Sequence, residues 1–114
     1  MNWIEIANRH IKVPSIGSFQ SNFGVTPFIC NYLYKILHSA KGYVIKWKPK
    51  FLLMALYFLK TYPLAEQAAS VWKITRKTWD KWVWVTLCVL YKEFNETEKL
   101  VRIFNLLNNQ FVFY

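Results

Sequence analysis

Apolar side chains return every three or four residues through most of this chain, and proline, glycine and short polar clusters separate the runs. That period belongs to helices packed on one side, not to strands. The first clear run follows Thr26-Pro27. Threonine caps a helix end, and proline at the first helical position gives up no needed hydrogen bond. Phe28, Ile29, Tyr32, Leu33, Ile36 and Leu37 then recur at helical spacing over Pro27–Ser39, and Gly42 is the expected stop, with Lys41 near the negative end of the dipole. Pro49 opens the next helix, Lys50–Thr61, which is apolar all the way round from Phe51 to Leu59. A helix of that kind belongs at the centre of a bundle. Pro63 starts a short helix over Leu64–Trp72, with Glu66 in its first turn. Thr75 then caps a long helix, Arg76–Phe94, charged in its first half and apolar from Trp82 to Tyr91. Asn95-Glu-Thr-Glu98 reads as a cap with a carboxylate three residues on, starting a last helix over Glu96–Leu107. Residues 1–25 are weakly patterned. Trp3, Ile4, Ile6, Ile11 and Val13 are apolar, but Pro14, Gly17 and Gly24 interrupt, which predicts an arm with one short helical turn. The expectation is an all-α fold, a small helical bundle, with an arm over 1–25, a helical domain over 26–107 and a short tail over 108–114.

Within that bundle, Ala65 to Trp84 has the spacing of a helix-turn-helix. Two helices crossing steeply over a short turn must bury a fixed set of side chains between them. The expected slots hold Ala68, Ala69, Trp72, Ile74, Trp79 and Trp82, all apolar, with Ala69 small where the helices approach most closely. Arg76, Lys77, Asp80 and Lys81 occupy the positions between. The turn of such a motif favours glycine for positive φ, and Lys73 stands there instead. The plainer alternative is an amphipathic helical hairpin with no special crossing. The predicted core is Leu52, Ala55, Leu56 and Leu59 together with those six slots.

Composition sharpens the functional question. The chain has 114 residues, 54% hydrophobic and 19% aromatic, enough for one modest core. Its net charge is +9, from 15 Lys and Arg against 6 Asp and Glu. The excess gathers between Lys35 and Lys81, where the only acids are Glu66 and Asp80. Such density suits a polyanion, nucleic acid first and an anionic membrane surface second, although exposed lysines are also common as a merely solvated face. The apolar runs Phe51–Leu59 and Trp82–Tyr91 fall short of the roughly 20 residues of a membrane span. Glu5, Arg9 and His10 break any apolar leader. Cys30 and Cys88 read as buried free thiols in a reducing compartment. His10 and His38 lack ligand-spaced partners, and no nucleophilic triad or phosphate loop is legible. The expectation is therefore no catalytic residue, no metal, no cofactor and no small-molecule substrate.

Three stretches together resemble a known family. They are Gly24-Val-Thr-Pro27, Lys48-Pro-Lys-Phe-Leu-Leu-Met-Ala-Leu-Tyr-Phe-Leu-Lys-Thr-Tyr-Pro63, and Ala69 through Trp84. In order and separation they are similar to the N-terminal region of eukaryotic DDE-type transposases of the Harbinger/insertion-sequence-like class. Lys77, Thr78, Lys81, Trp82 and Trp84 match the segment that forms the second helix of the family's helix-turn-helix. The resemblance covers about residues 23–94. It implies double-stranded DNA, such as transposon ends, as partner and the nucleus as location. It also implies a catalytic domain elsewhere, since three convergent carboxylates cannot be assembled from these acids and Asp80 is the only aspartate. The expectation is a piece truncated before that domain.

On this reading Thr75, which is also the cap, is a DNA-binding residue; Arg76 and Lys77 just after it reach base edges or phosphates, and Lys81 faces the groove one turn later. Lys48, Lys50 and Lys73 hold backbone phosphate. The alternative is a protein-interaction or dimerisation fragment, because Trp72, Trp79, Trp82 and Trp84 cannot all be buried in so small a domain. A membrane-surface peptide is the third reading. The expected partners are duplex DNA and either a second copy or the missing catalytic domain, not a membrane.

Overall fold

A computed structural model describes residues 1–40 and 45–94. These form six helices and, among the described residues, no strand: α1 Trp3–Asn8, α2 Ile16–Phe23, α3 Pro27–Ser39, α4 Pro49–Thr61, α5 Ala65–Val71 and α6 Arg76–Phe94. The fold is a small all-α bundle. The predicted stop at Gly42, the last helix Glu96–Leu107 and the tail lie outside the described residues.

The bundle is built around α4, which touches α1, α2, α3 and α6. Phe51 to Leu56 are all buried, as a helix apolar on every side requires. Pro49 takes the first helical position, and Tyr62 closes the helix in the left-handed region at φ 47°. One side of the last turn is open to solvent, although Phe58 within it still meets Trp84 of α6. Leu59, expected in the core, is 45% exposed, and Lys60 and Tyr62 beside it are exposed too. Helix α6 packs against α3, α4 and α5 and buries a stripe of Trp79, Val83, Thr86 and Leu90, spaced three and four residues apart. Thr26 caps α3 as predicted, its Oγ1 accepting from Ile29 N at 3.4 Å.

The N-terminal 25 residues are not an arm. They supply α1 and α2, and Trp3, Ala7, Val13, Phe19, Phe23 and Val25 are all buried in the common core. Each short helix is secured by its ends rather than by its length. Asn2 Oδ1 accepts from Glu5 N at 3.1 Å, and Ser15 Oγ accepts from Ser18 N at 3.2 Å. Gly24, at φ 77°, terminates α2 rather than breaking it. The Asn8 amide fastens the link between them, accepting from Val13 N at 2.7 Å and donating to Val13 O at 2.8 Å.

Cys30 is buried, and burial pushes its thiol well above the usual range. Cys88, expected to be buried too, is exposed. It lies between Trp84 and Tyr91 on the exposed side of α6, and those two residues are 57% and 70% exposed. The apolar run here is longer than the face that α4 covers.

Candidate nucleic-acid interface

Helices α5 and α6 are joined by four residues, Trp72 to Thr75. Ile74 N donates to Ala69 O at 3.0 Å, and Lys73 N donates to Ser70 O at 3.2 Å. This nested pair is the Schellman termination, which needs a left-handed residue between the two donors' ends. Lys73 provides it at φ 56°. Ile74 then packs back onto the core. Thr75 begins α6: its Oγ1 accepts from Thr78 N at 3.1 Å and donates to Thr78 Oγ1 at 2.8 Å. Thr75 therefore sets where α6 starts, and its hydroxyl is occupied in doing so. Of the six predicted slots, Ala68, Ala69, Trp72 and Trp79 are buried, and Ile74 and Trp82 are half-buried.

A side chain other than glycine in the left-handed region costs about 1–2 kcal/mol. Lys73→Gly is expected to raise stability by about 0.5–1 kcal/mol, the relief being partly offset by glycine's greater freedom in the unfolded chain. Urea unfolding would measure it. An unchanged or lowered midpoint would show that the lysine is not strained there.

The first turns of α6 carry Arg76, Lys77 and Lys81. Arg76 is tied on both sides. Its Nη1 lies 3.3 Å from Glu66 Oε1 on α5, and its Nε lies 3.8 Å from Asp80 Oδ2 one turn on. The guanidinium is thus aimed, and its charge is shared with two carboxylates. Lys77 is exposed. Lys81 Nζ sits 4.8 Å from the centroid of the Trp82 ring. Trp82 in turn stacks on Phe51, ring centroids 3.9 Å apart and planes within 6°. That stack joins the first turn of α4, with Lys48 and Lys50, to the first half of α6.

The start of α4 is electrostatically unusual. Lys48 is the cap residue and makes no side-chain capping bond, and no acid occupies the first turn. Cations oppose the positive end of the helix dipole. Lys50 is half-buried, and burial followed by Lys48 pulls its ammonium below the usual range. His10, at the end of the α1 turn, lies against Trp72 with ring centroids 5.0 Å apart. Burial first, then Lys50, Arg9 and Lys73, holds its imidazole below the ordinary range. Lys50 and Lys73, predicted together, are thus brought to one place by the fold.

Arg9 and His10 join them there, and sequence reasoning missed both. No local pattern marks them; the only signal is that Arg9 and His10 follow an apolar turn that proves to be core. Among the described residues no group of three His, Cys, Asp or Glu could hold a metal ion, and no helix is long and apolar enough to cross a membrane. The chain finds no significant match among family models, curated proteins or solved structures.

Proposed function

We propose that this chain is a DNA-binding module. Lys48, Lys50 and Lys73 hold backbone phosphate, and the start of α6 presents Arg76, Lys77 and Lys81 to a groove. One observation carries this reading: the start of α4 and the first half of α6 are joined by the Phe51–Trp82 stack, and a Schellman turn links α5 to α6, so the lysines on these elements share one region. The likeness of Lys48–Pro63 and Ala69–Trp84 to the N-terminal region of DDE-type transposases supports a helix-turn-helix, transposon-end DNA as target and the nucleus as location. In this reading the chain positions DNA and performs no chemistry on it.

The test compares two kinds of contact. Lys50→Ala is expected to weaken binding to every duplex alike and to lower the salt slope by about 0.9. Arg76→Ala is expected to cost about 1–3 kcal/mol on the preferred sequence only, because a bidentate guanidinium reads guanine and a methyl does not. Fluorescence anisotropy over a panel of duplexes measures both. If the two variants behave alike on every sequence, the base-reading role of Arg76 is lost and only a polyanion-binding surface remains.

A second reading, a dimerisation or protein-interaction fragment, is favoured by Trp84. It is 57% exposed and leans on Phe58 at a centroid distance of 5.8 Å. Sedimentation of the wild type against Trp84→Ala separates it: a concentration-dependent dimer lost in the variant would favour this reading.

A further inference from the structure

The N-terminal helix and the α5–α6 turn are far apart in the sequence but meet at the His10–Trp72 ring contact, 5.0 Å between centroids. Arg9 precedes His10 and Lys73 follows Trp72, so that contact sets two cations beside it, and Lys50 lies in the first turn of α4, on which α1 packs; all three act electrostatically on the imidazole. Lys73 keeps the left-handed conformation that glycine would occupy without strain, so a cation is held where backbone geometry disfavours it. Lys50 is half-buried at the end of a helix where the dipole opposes it. Like charges gathered against both conformation and dipole suit an incoming anion with several acceptor oxygens.

We propose that Arg9, His10, Lys50 and Lys73 form a phosphodiester-binding site for duplex DNA, in which the imidazole becomes a cation as the phosphate arrives. The proposal rests on the DNA-binding reading and extends it to the N-terminal helix. In the free protein the burial and the three cations disfavour protonation of His10. A phosphate placed among them reverses the sign of that field, so binding takes up a proton and affinity rises as the pH falls. Lys12, Lys48 and Lys60 lie on the same segment or on α4 and its cap but are not among the groups acting on His10. Glu5 on α1 pairs with Arg9 at 3.7 Å, and Glu66 and Asp80 hold Arg76. Helix α2 carries no ionisable side chain, and Lys35 and His38 of α3 are not among the groups acting on His10.

The test uses the full chain and a fluorescein-labelled duplex of mixed sequence, at about pH 8 and about pH 5.5, either side of the usual histidine range. Wild type is expected to bind about three- to tenfold more tightly at the lower pH, within the tenfold per pH unit that one proton allows. His10→Phe keeps a ring on Trp72 but holds no proton, and is expected to lose that gain; His38→Gln is expected to keep it. A readout that needs no variant is the His10 imidazole resonance in wild type, which should titrate at higher pH with duplex present than without. If wild type binds duplex with steep salt dependence but His10→Phe shows the same gain, or the His10 resonance titrates unchanged, this site falls and the DNA-binding reading stands. If wild type binds no duplex at either pH, both fall together.

Discussion

Trp72→Ala is expected to cost about 3–5 kcal/mol, the range for emptying a buried aromatic site. Trp72 is 1% exposed and its ring meets four others: His10 at 5.0 Å, Tyr57 at 5.8 Å, Phe23 at 6.3 Å and Trp79 at 6.5 Å between centroids. Those rings come from the segment after α1, from α2, from α4 and from α6, so one side chain joins the N-terminal helices to the helix pair. Domains of this kind have about 5–15 kcal/mol in all, and the variant would lose a large share of it. In urea, with a slope of about 2 kcal/mol/M, the midpoint should fall by roughly 2 M. Far-UV circular dichroism is the suitable signal, since the substitution itself changes tryptophan fluorescence. Trp72→Phe should cost much less, because the indole Nε1 is buried with no hydrogen-bond partner and its removal relieves a desolvated donor. Equal losses in the two variants would mean that the indole N–H is satisfied after all, and a near-neutral alanine variant would dissolve the ring cluster as a keystone.

The second large effect concerns ionic strength. In the proposed DNA-binding reading Lys48, Lys50 and Lys73 hold phosphate, and Lys77 and Lys81 at the groove are counted with them as neutralising one phosphate each. Each phosphate neutralised contributes about 0.9 to the slope of log affinity against log salt, so five give about 4.5. Raising salt from about 50 to about 200 mM is a change of about 0.6 log units, and duplex affinity should drop roughly 500-fold. Arg76 is left out of the sum because Glu66 and Asp80 already share its charge. Anisotropy titrations at four or more salt concentrations would give the slope. A loss smaller than about tenfold corresponds to no more than two phosphate contacts, and the lysine patch would then not be the binding surface. The same series with anionic vesicles distinguishes a nucleic-acid partner from a lipid one.

Helices α3, α4 and α6 are legible because each begins with a residue that acts locally. Thr26-Pro27, Pro49 and Thr75 mark starts in single-residue chemistry, and the α3 and α6 bounds fall where those marks put them. Lys73 was legible for a related reason: the geometry of a tight helix pair demands positive φ at one position, whatever residue stands there. The N-terminal helices were not, because their capping residues, Asn2 and Ser15, begin segments too short to show a period. Gly24 looks like an interruption in the sequence, but it is the end of α2. Leu59 and Cys88 share another limit. Periodicity tells which face of a helix is apolar but not how far along that face a neighbour extends. The cations around His10 could not be read at all, since their proximity depends on how α1 meets the turn after α5.

The Asn8–Val13 clamp and the buried Phe19 and Phe23 bear on how this protein can be cut. A fragment beginning at Thr26 retains α4, α5 and α6, with Lys48, Lys50, Lys73, Arg76, Lys77 and Lys81, but loses Arg9 and His10. It would also uncover the apolar flank of α4 that α2 covers and one side of Trp72. Such a fragment would invite self-association through a freshly opened wall, and any affinity measured with it would mix recognition with stickiness. The shortest piece that keeps α1 and α2 over the core begins at Asn2, whose side chain starts the first helix.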